Sequence, residues 1–236
     1  MIPIRDTVPR QHFPFAVWTL IMINVFVFIR ELALPEDFAE QFIYLFGLVP
    51  ARYTHADWAA GAGFPHSYWP FLTTMFLHGG WLHIIGNMWV LWIFGDNVED
   101  RMGPVRFLVF YGLCGLSAGV VHVLTNPTST VPAVGASGAI AGVMAAYFVL
   151  FPRARIVAMF PIFFYPLFFT VPAFLYLGFW FLTQFFSGTL AIATHREVGG
   201  IAWWAHIGGF ASGILLFSFF LRRPAPNPIV PRRVSD

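Results

Sequence analysis

Apolar runs long enough to cross a lipid bilayer recur along this chain. Several of them reach about 15–22 residues, and about 20 apolar residues in a helix span the hydrocarbon core of about 30 Å. The chain is 58% hydrophobic and 10% charged, whereas soluble domains carry about a quarter charged residues. So few charged side chains cannot cover a surface exposed to water. The sequence therefore predicts an all-α polytopic membrane protein with a single membrane domain over residues 1–221.

The apolar runs predict six transmembrane helices. We place them at about residues 15–32, 82–97, 104–124, 136–151, 171–187 and 201–221. No small-residue cleavage site follows the first run, so we expect a retained span rather than a removed signal peptide. Residues 222–236 are rich in proline and charge and are expected to form a disordered cytoplasmic tail. The single cysteine, Cys114, excludes a disulfide framework and a cysteine metal site.

The placement of the arginines predicts the orientation of the chain in the membrane. All 13 basic residues are arginines, and three of them fall on one side of the predicted bundle: Arg30, Arg52 and Arg196. The other ten lie at the N-terminus, after the second and fourth predicted helices, or at the C-terminus. Cytoplasmic segments collect Lys and Arg. We therefore expect both termini in the cytoplasm, and we expect the membrane to be the inner (cell) membrane of a bacterium.

One further apolar stretch, residues 154–173, could form a seventh helix, which would move the C-terminal arginines to the outside. It contains Pro161, Pro166 and Pro172. Proline inside a helix removes a backbone hydrogen bond and clashes with the preceding turn. We therefore predict that residues 154–170 form an extended or re-entrant segment at the cytoplasmic rim.

The first external loop, about residues 33–81, is long and rich in aromatic residues. Aromatic side chains are enriched where a membrane meets water. We therefore expect this loop to lie partly in the outer leaflet. The alternative is a globular loop with a small core of its own.

Four polar residues lie within the predicted helices, where polar groups are costly and need a reason. They are His83 and Asn87 on the second helix, Ser137 on the fourth and His206 on the sixth. These three helices all run from outside to inside, and each residue falls in the first turn or two of its helix. At a rise of 1.5 Å per residue, all four lie at a similar depth, on the order of 5–10 Å below the outer boundary.

Small residues recur every four positions on the fourth and sixth helices, a spacing that lets two helix backbones approach closely. The residues are Gly138 and Gly142 on the fourth helix and Gly209 and Gly213 on the sixth. His206 lies on the stripe of its helix and Ser137 lies beside the other, so contact between the stripes would bring the two together. A serine beside a histidine is a nucleophile beside its general base. No Asp or Glu falls in either helix, so we predict a dyad without a carboxylate.

The same layer holds candidate donors for an oxyanion. Ser137 opens a helix, so its own N–H has no intrahelical partner, and Asn87 and His83 can add side-chain donors. Each residue also has a structural interpretation: the serine as a helix cap, His206 as a buried hydrogen-bonding residue, and Asn87 as a polar contact between helices.

A metal site is the alternative chemistry for the histidines. Neutral imidazole is a common metal ligand, and the candidates are His78, His83, His122 and His206. The chain has no His-Glu-x-x-His helix and no nearby carboxylate to act as a base. We therefore expect neither a metal nor another cofactor.

Three motifs in chain order carry a resemblance to a known family. The first is a His-x-x-x-Asn helix, which the segment WPFLTTMFLHGGWLHIIGNMW resembles through His83 and Asn87. The second is a Gly-x-Ser-Gly nucleophile motif, which GASG at Gly135 to Gly138 resembles. The third is a catalytic-histidine helix, which AHIGGFASG resembles through His206. Over about residues 69–221, the chain resembles the rhomboid family of intramembrane serine proteases.

This resemblance implies cleavage of transmembrane substrates near the outer leaflet, often after a small residue, by a dyad of Ser137 and His206. It also implies that the first loop and the fifth helix shape lateral access of the substrate. Some members stack an aromatic residue, four positions after the serine, under the histidine, where this chain has Ala141. We expect an aromatic residue of the sixth or second helix to replace it. The expected partners are transmembrane proteins and the lipid bilayer, and not nucleic acid.

Two other functional classes compete with a protease. A non-catalytic rhomboid-like protein that binds or escorts transmembrane clients would be indicated by loss of the serine or the histidine, and both are present. A small-solute transporter needs charged or discontinuous helices near the membrane midplane. The midplane of the predicted helices is apolar.

Overall fold

Helices make up most of the chain in the computed structural model, which describes residues 1–162, 165–194 and 202–222. In chain order they are α1 (Phe15–Leu32), α2 (Glu36–Phe46), α3 (Ala51–Thr54), α4 (Ala56–Gly61), α5 (Pro70–Thr73) with a 3₁₀ turn after it (Thr74–Phe76), α6 (Trp81–Met102), α7 (Pro104–Thr125), α8 (Ser137–Leu150), α9 (Ala173–Thr194) and α10 (Trp203–Phe220). A helix occupies each of the six predicted positions, and α9 continues past its predicted end at residue 187. The predicted tail lies outside the described residues beyond residue 222.

Four of the described helices are long and apolar enough to cross a membrane: α1, α7, residues 173–191 of α9, and α10. Helix α8 is apolar but has only 14 residues, about 21 Å at 1.5 Å per residue. Helix α6 has 22 residues but carries Asp96, Glu99, Asp100 and Arg101 in its last two turns. The chain is therefore a multi-pass membrane protein in a lipid bilayer, with four described helices that are long and apolar enough to cross it.

Helix α8 lies at the centre of the bundle, packed against α6, α7 and α10. Its residues from Gly138 to Tyr147 are all buried. Gly209 of α10 lies against the backbone of Gly138, and Gly213 lies against that of Gly142, so closely that an added Cβ would overlap backbone atoms of α8. The two glycine stripes therefore face each other, and the absence of side chains there sets how near α8 and α10 approach.

A three-stranded antiparallel sheet accompanies the helices, so the expectation of an all-α chain is wrong in this part. Strand β1 (Ile2–Asp6) pairs with β2 (Arg155–Ile162), which pairs with β3 (Tyr165–Pro172). The stretch that competed as a seventh helix is thus an extended hairpin, as its prolines predict. Pro161 lies opposite Pro166 in the register of the hairpin. Strand β1 was not predicted, because five residues that include a proline have no clear periodicity.

Carboxylates fasten the N-terminal segment to the bundle. Asp6 accepts hydrogen bonds from the Tyr147 hydroxyl (2.5 Å) and the Asn97 amide (3.0 Å). Glu99 accepts from the backbone N–H groups of Ala16 (3.0 Å) and Val17 (2.9 Å). These two N–H groups lie in the first turn of α1 and have no partner within the helix, so Glu99 satisfies donors that would otherwise be unpaired.

Contacts within the first loop converge on one buried side chain. It is that of Arg52, which donates to the carbonyls of Leu45 (3.2 Å) and Pro65 (2.6 Å), and lies 5.2 Å from the centre of the Phe64 ring. Large apolar side chains such as Trp69 remain exposed on the surface of the loop. The location of this loop in the outer leaflet stays a prediction.

Candidate active site

Ser137 is the first residue of α8 and is half-buried. The turn before it requires glycine, because Gly135 has a φ of +124°, which side chains disfavour. A Cβ at Gly135 would also lie 2.7 Å from ring atoms of His83. The glycine thus allows a tight turn beside α6 and places the serine hydroxyl at the end of the helix.

His206 lies in the first turn of α10 and meets Ser137 directly. Its Nε2 atom is 2.7 Å from the Ser137 Oγ atom. Helices α8 and α10 approach closely at Gly138, one residue after Ser137, and Gly209, three residues after His206, and this approach makes the contact possible. The structure therefore brings together the two residues that the sequence placed at one depth.

The second nitrogen of His206 has a partner that the sequence analysis missed. Its Nδ1 atom is 2.7 Å from Oε1 of Gln184 on α9, and Gln184 is only 6% exposed. The two helices that carry Ser137 and His206 contain no carboxylate, and Gln184 is an amide on another helix, so carboxylates in these helices do not reveal it. A buried glutamine within the apolar run FWFLTQFF was the available signal.

Tryptophans contact the imidazole where this chain lacks an aromatic residue at Ala141. The ring of Trp180, on α9, is 5.8 Å from that of His206 at an interplanar angle of 34°. Trp203, on α10, meets the imidazole edge-on at 6.5 Å and 85°. The sixth predicted helix thus supplies only an edge-on contact, and the nearer and more parallel ring comes from α9, which the expectation did not include.

His83 and Asn87 lie on α6, beside the turn that precedes Ser137. A Cβ at Gly135 would lie 3.6 Å from Nδ2 of Asn87 as well as against His83. Asn87 is 8% exposed, and its Nδ2 atom has no hydrogen-bond partner among the described residues. A buried donor without a partner is uncommon and calls for an explanation. It leaves a free N–H beside the Gly135 turn that leads into Ser137.

No cluster of three or more His, Cys, Asp or Glu residues that could hold a metal occurs in the part of the chain that the structure describes. His78 contacts His83, with ring centres 5.1 Å apart. The polar groups around Ser137 are thus the imidazoles of His206 and His83, the Asn87 amide and the N–H groups at the start of α8, while the Gln184 amide lies behind His206.

Two packed helices that hold a serine and a histidine in hydrogen-bond contact define the class of this protein: a polytopic membrane protein with a Ser–His pair inside its bundle. The chain belongs to the rhomboid family, because a model of the rhomboid domain matches residues 65–223, more than half of its length. The resemblance seen in the sequence is confirmed.

Three curated relatives show the range of the similarity. Rhomboid-like protein 11, chloroplastic, of Arabidopsis thaliana is 30% identical over 141 residues, 60% of this chain and 44% of that protein. RHOMBOID-like protein 6, mitochondrial, of the same plant is 29% identical over 159 residues, 66% and 45%. YdcA of Bacillus subtilis strain 168, whose name proposes a rhomboid protease, is 34% identical over 80 residues, 34% and 40%. This chain spans less than half of the length of each.

Proposed function

We propose that this protein is an intramembrane serine endopeptidase that cleaves transmembrane substrates with a dyad of Ser137 and His206. The hydrogen bond of 2.7 Å between Ser137 Oγ and His206 Nε2, inside a bundle of apolar helices, carries the proposal. Membership in the rhomboid family supports it.

In the first half of the reaction, Ser137 Oγ attacks the carbonyl carbon of the scissile peptide while His206 Nε2 takes the hydroxyl proton. The imidazolium then gives this proton to the leaving nitrogen as the C–N bond breaks, which leaves an ester on Ser137. In the second half, a water attacks the ester carbonyl and passes a proton to Nε2. The proton returns to Oγ as the acid product leaves.

The oxyanion that forms in each half needs donors that are already in place. We assign this role to the Ser137 N–H, the Asn87 side-chain amide and His83. The unpaired Nδ2 of Asn87 supports the assignment, because a donor held without a partner in the free enzyme can receive the charge that develops on the substrate oxygen.

We further propose that the six long helices all cross the bilayer, with both termini in the cytoplasm and the membrane being a bacterial inner membrane. The ten-to-three distribution of arginines supports this orientation. Ser137 then lies near the outer face. A substrate helix is cut near its outer end, where it can unwind and expose its carbonyls.

The decisive test compares Ser137→Ala with a matched serine control. Ser212 stands in a second Ala-Ser-Gly triplet, and its hydroxyl donates to the Gly209 carbonyl of its own helix at 2.8 Å. In proteoliposomes with a model transmembrane substrate, we expect Ser137→Ala to abolish cleavage and Ser212→Ala to retain it. A fluorophosphonate probe should modify Ser137 in the wild type. Substantial cleavage by Ser137→Ala would contradict the proposal.

The alternative is a non-catalytic rhomboid-like protein that binds or escorts transmembrane clients. Two of the relatives above are named rhomboid-like. Stable substrate binding by the wild type, with neither cleavage nor probe labelling, would favour this alternative.

A further inference from the structure

A buried amide on α9 reaches the side of His206 that faces away from the serine. Gln184 is 6% exposed, and its Oε1 atom lies 2.7 Å from His206 Nδ1. An amide oxygen can only accept a hydrogen bond. In this arrangement Nδ1 must carry the imidazole proton, which leaves Nε2 as the acceptor that faces Ser137.

The orientation of that amide is set by a third residue. The Thr183 hydroxyl donates to the Trp180 carbonyl at 2.6 Å, which uses its only proton. Thr183 Oγ1 therefore accepts from the Gln184 NH₂ group at 3.3 Å. Because the NH₂ group points to Thr183, the oxygen of the same amide points to His206. The hydrogen bonds run in one direction from Ser137 through His206, Gln184 and Thr183 to the Trp180 carbonyl.

We propose that Gln184 is a positioning residue, which holds the proton of His206 on Nδ1 and so keeps Nε2 free to accept the Ser137 proton. This inference rests on the proposed function, because the tautomer matters to the reaction only if His206 is the base. The neutral Gln184 amide fixes the tautomer and orientation of the imidazole, as a buried carboxylate does in other serine hydrolases. It does so without placing a second charge in the bundle.

The imidazole is held from α9 on two sides. Trp180 and Gln184 are four residues apart and therefore project from the same face of the helix. Trp180 lies 5.8 Å from the imidazole, centre to centre, and Gln184 bonds its edge. Because Ser137 is placed by α8, His206 is carried by α10 and its ring is oriented by α9, the reacting geometry depends on three helices that meet at His206.

The first test measures the tautomer of His206 directly. In detergent-solubilised protein with ¹⁵N-labelled histidine, assigned against His206→Ala, we expect the proton on Nδ1 in the wild type. Gln184→Leu removes the acceptor at nearly constant volume and should give a mixture of tautomers. Gln184→Glu keeps an acceptor oxygen and should keep the proton on Nδ1. A wild-type proton on Nε2, or an unchanged spectrum in Gln184→Leu, would overturn the proposal.

The second test measures turnover. We expect Gln184→Leu to lower kcat about tenfold, the worth of one well-placed hydrogen bond, with KM unchanged. Equal kcat values for wild type and Gln184→Leu would overturn the positioning role. A wild type that shows the expected tautomer but cleaves no substrate would instead contradict the proposed function and leave the geometry of Gln184 intact.

Two threonines on α9 provide a matched control for the orientation of the amide. Thr183 and Thr189 both donate to a carbonyl of their own helix, at 2.6 Å and 2.8 Å. Only Thr183 accepts from Gln184. Thr183→Val should shift the tautomer and lower kcat by a few-fold, while Thr189→Val should leave both at the wild-type values. Identical behaviour of the two variants would contradict the directed chain of hydrogen bonds.

Discussion

The two ends of α8 lie beside polar groups that differ in their hydrogen bonding. At the start of the helix, beside Ser137, the Nδ2 atom of Asn87 is buried and has no partner among the described residues. At the far end, the Tyr147 hydroxyl donates to Asp6, which also accepts from the Asn97 amide. The start of α8 thus lies beside an unpaired donor of α6 as well as the Ser137–His206 hydrogen bond, whereas the groups at its far end are paired.

The Ser137 end of α8 thus lies beside the groups that the proposed reaction needs, whereas the Tyr147 end makes contacts that hold the N-terminal segment against the bundle. A buried donor without a partner costs about 1–3 kcal/mol, and the one at Asn87 lies where the proposed oxyanion would form. Paired groups cost little and fix one segment to another. Variants at the Ser137 end should therefore change turnover more than stability, and variants at the Tyr147 end should do the reverse.

The largest expected effect is on kcat and is tested by substituting two asparagines of α6. Asn87→Ala should lower kcat about 10²–10³-fold, the usual loss of one oxyanion donor, with the thermal midpoint in detergent unchanged or raised. Asn97→Ala removes a donor to Asp6 and should lower the midpoint at a near-normal kcat. Normal turnover in Asn87→Ala would show that Asn87 only packs between helices.

The next largest effect is a joint loss of stability and cleavage when the contact between α8 and α10 is disturbed. Gly209→Ala places a Cβ against the Gly138 backbone and should lower the free energy of unfolding by roughly 1–3 kcal/mol through overpacking, with a parallel loss of cleavage. Gly112 on α7 has no atom within 4 Å of the position of an added Cβ. Gly112→Ala should be neutral or stabilising by about 0.5–1 kcal/mol. Equal stability of the two variants would contradict the close contact of α8 and α10.

A smaller effect, on the free energy of unfolding alone, is expected at the Tyr147 end of α8. Tyr147→Phe should lower the free energy of unfolding by about 1–2 kcal/mol, because Asp6 loses a donor. Tyr111 is equally buried, but its hydroxyl has no partner among the described residues, so Tyr111→Phe should be neutral or stabilising. Both variants should keep a normal kcat. The comparison fails if Tyr111→Phe costs as much stability as Tyr147→Phe.

The smallest effect is a pH dependence at Asp6. Burial raises the pKa of this carboxyl above its ordinary value of 3.8, against the opposing hydrogen bond from Tyr147. A raised folded-state pKa stabilises the fold below the unfolded-state pKa, and this contribution is lost as the pH rises through the folded-state pKa. Between pH 4 and pH 7, the thermal midpoint of the wild type should therefore fall more than that of Asp6→Asn, which cannot ionise. Parallel curves would exclude Asp6 as the titrating group.

Local and non-local features of the chain were unequally predictable. Helix positions follow from apolar runs, and the meeting of Ser137 with His206 follows from equal depth and glycine spacing, which are both local properties of single helices. Gln184 was missed because neither depth nor small-residue spacing shows which face of α9 points to His206. The pairing of β1 with β2 was missed because it depends on residues far apart in the chain, and five residues carry too little pattern to indicate a partner.

The pairing of β1 with β2 also sets an order of assembly. Ile2 lies opposite Met159, so the strand is synthesised first while its partner is still about 150 residues away. At about 5–20 residues per second, the ribosome needs on the order of ten seconds to supply β2. Helices α1, α6, α7 and α8 are complete in the nascent chain before this sheet can form. The sheet therefore closes only after these helices are made. The hydrogen bond between Asp6 and Tyr147 likewise cannot form until α8 has been synthesised.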